Sequence, residues 1–259
     1  IAGAAESNAI SNTVDVYSGS VLQASYPLLN NAFDAINAGT HTGTIDVKIN
    51  SSSSLTNSAI LYASGSGSSN YTSIKVYPTA ANVSITGNMD LPLIDLNGAD
   101  NVTIDGRING NNSITSNDLT FVNQSTSSLP DISTIRFTNS AENNVLRYLN
   151  IKGATANASG FSANVYFSTS ASGNGNDNNT IDHCNLTGIS ATSRPLTVIS
   201  TSGGISTIFD NGNTISNNSI YDYFSNSSTS SKGGVFLSGY STNFKILNNS
   251  FYETQVNVP

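Results

Sequence analysis

The chain holds two histidines, and one of them, His183, follows an aspartate in the run Ile181-Asp-His-Cys184. A carboxylate beside an imidazole is an elementary unit for moving protons. Arg147, one sequence repeat earlier, is the cation that would steady a developing anion. Asp182, His183 and Arg147 are therefore the catalytic candidates. The structural alternative has Asp182 stacking one coil above Arg147 as a surface ion pair, with His183 between Tyr148 and Asn217. Asp95, Asp100 and Asp105 fall at five-residue steps and offer oxygen ligands to calcium, provided that their carboxylates converge. His41 lies in a Gly/Thr-rich turn with no visible partner and reads as an exposed loop residue.

What positions these residues is an internal repeat. Segments beginning at Asn144, Asn179, Asn213 and Phe244 align without gaps. Each carries an apolar residue at its third position (Leu146, Ile181, Ile215, Ile246) and another at its eighth (Ile151, Leu186, Ile220, Phe251), with polar residues between. Stacked coils turn these positions into continuous apolar columns. Cys184, Asn218 and Asn249 share a column at the bend, where stacked amides would satisfy turn backbone groups. The repeating unit is a whole strand-turn-strand module, which favours a solenoid over an antiparallel sandwich. The expected fold is all-β: a single-stranded right-handed parallel β-helix, the hand following from the handedness of parallel crossovers.

A second strand precedes each segment, and its alignment places Ile135, Val165, Val198 and Val235 in one inward column. Alternation along a strand then turns Tyr166, Ile199 and Phe236 outward. Together with Tyr148 they are the binding candidates, a platform for a sugar ring or a partner. The competing expectation is that a long loop, such as Tyr223 to Gly233, folds over the column.

Residues 1–43 read as an N-terminal segment whose helix, about 26–37, caps the coils of 44–259. Pro27 suits a first turn, Gly39 suits a stop, and Leu28, Leu29, Ala32, Phe33 and Ile36 keep helical spacing. The coils are expected to continue beyond residue 259. With 16 acidic and 9 basic residues the net charge is −7, which disfavours nucleic acid as a partner. No apolar run approaches the ~20 residues of a membrane span. The lone Cys184 allows no intramolecular disulfide. Ile1 to Ala5, small and apolar, has the character of what remains after signal cleavage.

The repeated pattern of Asn, an apolar residue, polar residues, Asn or Cys, and another apolar residue resembles the parallel β-helix repeat of the pectate-lyase-like superfamily, over roughly residues 80–253. The opening, Asn30 to Gly43 and Leu93 to Gly106, is similar to β-helix regions of large bacterial surface proteins exported by type IX secretion. The resemblance implies a secreted or cell-surface location and leaves function open, since one scaffold serves many roles. Asp182-His183 looks like a short pectate-lyase motif, but Thr180 stands where that pattern has Trp, and Arg194-Pro195 lies in a different context from the catalytic arginine. Two functions are weighed. One is a non-catalytic extracellular module for adhesion to a polysaccharide or surface partner, or a rigid spacer. The other is a polysaccharide lyase or glycoside hydrolase. No cofactor is expected apart from calcium.

Overall fold

A computed structural model describes residues 11–254 apart from 171, 204 and 225–232. Three parallel sheets run along a solenoid. Sheet A contains Thr42–Ile49, Asn70–Pro78, Val102–Asp105, Val145–Arg147, Thr180–Asp182, Thr214–Ser216 and Lys245–Leu247. Sheet B runs from Ser53–Leu55 through Val83–Gly87, Leu119–Asn123, Leu149–Gly153, Asn185–Gly188 and Ser219–Tyr221 to Ser250–Tyr252. Sheet C runs from Ala59–Tyr62 through Ile94–Asn97, Ser133–Thr138, Ala163–Phe167 and Thr197–Thr201 to Gly233–Phe236. Each coil thus contributes three strands where the repeat alone required two.

The register follows the apolar columns. Leu146 pairs with Ile181, Ile181 with Ile215 and Ile215 with Ile246. Ile151, Leu186, Ile220 and Phe251 do the same in sheet B. These side chains are buried up to the last described coil, where Ile246 and Phe251 are 43% and 46% exposed. Burying a Leu- or Ile-sized side chain contributes about 1.5–3 kcal/mol, so the columns are the main source of cohesion.

Sheet C corrects one column. Val165 pairs with Ile199, not Val198, and Ile199 pairs with Val235. Ile199 therefore faces the core, fully buried, and Ser200 takes the outward place between Tyr166 and Phe236. Two adjacent apolar residues left the alternation ambiguous by one position, and a one-residue slip reverses every side chain.

The helix is Leu29–Asn37 and buries Leu29, Ala32, Phe33 and Ile36 in the core. It starts later than expected because Tyr26 ends a strand, Val21–Tyr26, and Leu28 is extended. That strand forms a hairpin with Val14–Ser18, which adds antiparallel to Thr42–Ile49 at the first edge of sheet A. The helix also covers an edge: Asn37 donates its amide N–H to the Ile60 carbonyl (2.8 Å) and accepts from the Tyr62 N–H (2.9 Å). Ala59–Tyr62 is the outermost strand of sheet C at that end, so Asn37 occupies backbone groups open to unwanted pairing.

Asparagine ladders bind the turns. Asn144, Asn179 and Asn213 are fully buried. Asn179 Oδ1 accepts the N–H of Asn144 (3.0 Å), and Asn213 Oδ1 accepts that of Asn179 (2.8 Å). The Nδ2 groups of Asn144, Asn179 and Asn213 donate to the carbonyls of Ala99, Ala141 and Asn176, each at 2.8 Å. The expected column of Cys184, Asn218 and Asn249 works similarly. Asn218 Oδ1 accepts the Cys184 N–H (2.8 Å), and Asn249 Oδ1 accepts the Asn218 N–H (2.9 Å). Such partners remove the penalty of burying turn amides.

Candidate functional site

The bend from sheet A to sheet B turns on one residue in the left-handed conformation, occupied on successive coils by Tyr148, His183, Asn217 and Asn248. This bend sets the geometry of the Asp-His pair. Asp182 Oδ2 meets His183 Nδ1 at 2.7 Å, and the His183 ring stacks on Tyr148 (centroids 4.8 Å apart, planes at 16°). The guanidinium of Arg107 lies 4.3 Å from the centre of the Tyr148 ring.

Arg147 does not pair with Asp182, although the two are register partners. Its guanidinium turns to Asp105, with Nε at 3.0 Å and an NH2 contact at 2.9 Å. Arg107 also holds Asp105, through Nε and NH2 at 2.9 Å each. Burial alone would raise the Asp105 carboxyl, but the hydrogen bonds and charges of Arg107 and Arg147 outweigh it and hold the group below the ordinary carboxylate range. Asp182 instead reaches the following coil. Its Oδ1 accepts from Ser216 Oγ (2.7 Å) and Asn217 Nδ2 (2.8 Å). Burial again opposes ionisation, and the donors Ser216, Asn217 and His183 prevail, keeping this carboxyl low. Both Asp182 oxygens are thus engaged by the scaffold, and its strand neighbours along the axis are Arg147 and Ser216, neither an acid.

The three aspartates offered to calcium do not converge. Asp95, in sheet C, makes a bidentate pair with Arg136 (2.9 and 2.8 Å). Asp105, in sheet A, is held by the two arginines, and Asp100 lies in a turn accepting the Glu142 N–H at 2.7 Å. Among the described residues no three His, Cys, Asp or Glu side chains gather as a metal site would need. His41 is another correction. It is buried, its Nε2 lies 2.7 Å from the Tyr26 hydroxyl, and burial lowers its pKa.

One open surface lies over sheet C. Residues 124–132 and 154–162, which follow sheet B strands, fold over its outward column, so Tyr166 is only 2% exposed. Most of Tyr223 to Gly233, the loop expected to cover this face, lies outside the described residues. The two covering loops are tied together. Asn157 Nδ2 donates to the Ser128 carbonyl (2.8 Å), while its Oδ1 accepts the N–H groups of Ser159 and Phe161 (3.0 and 3.2 Å). Ser162 Oγ donates to the Leu129 carbonyl (2.8 Å), and Ser200 Oγ to the Gly160 carbonyl (2.7 Å).

Between the loops and the sheet runs a groove of about 360 Å³ lined by Pro130, Asp131, Phe161, Tyr166, Ser168, Thr169 and Ser202. Phe161 is 43% exposed, and the Asp131 side chain 52%. Asp131 accepts from Ser168 Oγ (3.0 Å) and lies 3.7 Å from Arg136. Burial pushes the Tyr166 hydroxyl up to about 12, with the Ser202 and Ser168 hydroxyls pulling the other way. A second hollow adjoins the first across residues 158–160 and is walled by Phe236, whose ring packs on Gly160. A Cβ at Gly160 would come within 2.9 Å of that ring, and its φ of +77° suits glycine.

Of the four binding candidates, Tyr166 and Phe236 therefore line this face. Ile199 is in the core, and Tyr148 is at the A–B bend. Asp131, Phe161, Ser168 and Ser202 were not singled out, since the groove is made by loops without repeat or motif. The only local sign was the turn-forming pair Pro130-Asp131.

Among the described residues no helix is long and apolar enough to cross a membrane. Compared with known protein families, curated proteins and solved structures, the chain matches no family model, and no curated protein or solved structure reaches the threshold of a match.

Proposed function

We propose that this chain is a non-catalytic β-helix module of a secreted or cell-surface protein that adheres to a neutral polysaccharide through the groove floored by Tyr166. The observation that carries the reading is the convergence in that groove of an exposed ring, Phe161, an accessible carboxylate, Asp131, and the hydroxyls of Ser168, Thr169 and Ser202. A sugar presents an apolar C–H face and a rim of hydroxyls, which such a lining complements by stacking and by hydrogen bonds. The ties between the covering loops favour binding by ordering the groove in advance. Asp131 and Asp95 outnumber the nearby Arg136, and the net charge is −7. Both favour an uncharged glycan over a uronate. The likeness of the repeat to pectate-lyase-like proteins and to type IX-exported surface proteins supports a place outside the cell, where the stiff coil stack also serves as a spacer.

The second reading, a polysaccharide lyase or glycoside hydrolase, draws on the 2.7 Å Asp182–His183 contact. Elimination needs a base and a cation free to meet the substrate, yet Arg147 is spent on Asp105. Inverting hydrolysis needs a second carboxyl in the same groove, and none adjoins Asp182 along its strand column.

The test is an array of neutral and uronate oligosaccharides probed with the wild-type chain and Phe161→Ala. Binding to neutral glycans, weakened about tenfold or more (~1.4 kcal/mol) in the variant, supports adhesion. Binding to no glycan, or to uronates alone, overturns it. New reducing ends or unsaturated products that vanish in Asp182→Ala would establish the enzyme reading instead.

A further inference from the structure

A third ladder runs on the inner side of the turn from sheet C to sheet A, and one of its rungs is an acid. Asn176 and, one coil later, Asp210 each stand two residues before a left-handed residue, Asn178 and Gly212. Both are fully buried. Asn176 Oδ1 accepts the Ala141 N–H (3.2 Å), while its Nδ2 donates to the Ser168 carbonyl (2.7 Å). Asp210 repeats the accepting half: its Oδ1 takes the N–H of Asn176 at 2.9 Å and its Nδ2 at 3.1 Å. The donating half is missing. Asp210 Oδ2, in the place of an amide nitrogen, is buried with no hydrogen-bond partner among the described residues.

We infer that Asp210 is an asparagine-like rung that fits its ladder only while it carries a proton, so that pH sets how firmly the last coils hold to the stack. A protonated carboxyl has one accepting oxygen and one O–H donor, the pattern of a carboxamide, whereas a carboxylate accepts only. An unpaired charge in a closed turn is expelled by desolvation. From the preceding coil Asp210 faces Asn176 and Asp177; from the following coil it faces its register partner Ser241 and donates its backbone N–H to the Tyr240 carbonyl (2.9 Å). Ser241 is engaged with the Thr201 hydroxyl at 2.7 Å. Asp177, the charged member of this set, is itself an acid and disfavours ionisation. In keeping with this setting, burial pushes the Asp210 carboxyl up to about 7, opposed by the Asn176 donors and assisted by Asp177.

An acid with a raised folded-state pKa binds more protons folded than unfolded, so its contribution is present at low pH and fades between the unfolded value of about 4 and the folded one of about 7. Asn at this position supplies the donor at every pH. Thermal unfolding of the wild-type chain and of Asp210→Asn across about pH 4 to 9 reads the difference. The expected result is a gap in midpoint that is smallest at pH ~4, widens as pH rises with the variant the more stable, and levels off above neutrality. Parallel profiles, or a gap that narrows with rising pH, would overturn the inference. If the variant does not fold, carbon-13 titration of the Asp210 carboxyl in the wild-type chain decides. A midpoint near neutrality supports the proton-bearing rung, and one in the ordinary range of about 4 overturns it.

Discussion

The A–B bend and the groove over sheet C both combine charge with aromatic rings on the outside of this solenoid, and they differ in how their groups are engaged. At the A–B bend, Asp182 and Arg147 are bound to neighbouring coils, and the His183 ring is stacked on Tyr148 and held at Nδ1 by Asp182, with its side chain 45% exposed. Over sheet C, Phe161 projects from a loop already fastened through Asn157 and Ser162, and Asp131, which accepts from Ser168 and lies 3.7 Å from Arg136, keeps a side chain 52% exposed. The residues that look most chemical in the sequence serve the scaffold, while those best placed to meet a ligand belong to no motif.

The comparison is sharpest at the level of stability. Removing a core rung, by Ile181→Ala or Ile215→Ala, is expected to cost about 2–5 kcal/mol, because coils fixed above and below restrict collapse around the cavity. Denaturant unfolding checks this, and a cost below ~1 kcal/mol would mean that the columns are not close-packed. Asn218→Ala, which removes the acceptor of the Cys184 N–H and the donor to the Ile181 carbonyl, should cost about 1–3 kcal/mol by leaving turn groups buried without partners.

Acid distinguishes the bend by its sign. Asp105 and Asp182 have lowered pKa values, so they bind fewer protons folded than unfolded. Their contribution is present above the ordinary carboxylate range and is lost as pH falls through their folded-state values. Asp182→Asn should therefore flatten the acid limb of the thermal stability profile. An acid limb as steep in the variant as in the wild-type chain would contradict the part assigned to Asp182.

The smallest effect belongs to the groove. Phe161→Ala and Asp131→Asn should change stability by about 0.5 kcal/mol or less. Asn is chosen because residue 131 has a φ of +64°, which Asn tolerates.

How much of this was legible in the sequence follows from what each feature repeats. Leu146, Ile181 and Ile215 recur with the coil, as do Asn218 and Asn249, so they announced the stack and a ladder. Val198 and Ile199 defeated the same reasoning, since two apolar neighbours fit either face. His41 looked exposed because its partner, Tyr26, is 15 residues away, in a strand that the helical pattern had absorbed. Arg147 and Asp182 were correctly stacked, but stacking does not decide pairing, and the second arginine at Asp105 comes from a loop outside the repeat. Phe161 and Asp131 acquire meaning only when two loops meet over sheet C.

The most direct measurement is the affinity of one neutral oligosaccharide, taken from the array, for the wild-type chain, Phe161→Ala and His183→Ala, by calorimetry at one pH. Adhesion through the sheet C groove predicts a loss of about tenfold or more for Phe161→Ala and an unchanged constant for His183→Ala. Loss in His183→Ala with binding intact in Phe161→Ala would contradict it and move the site to the bend.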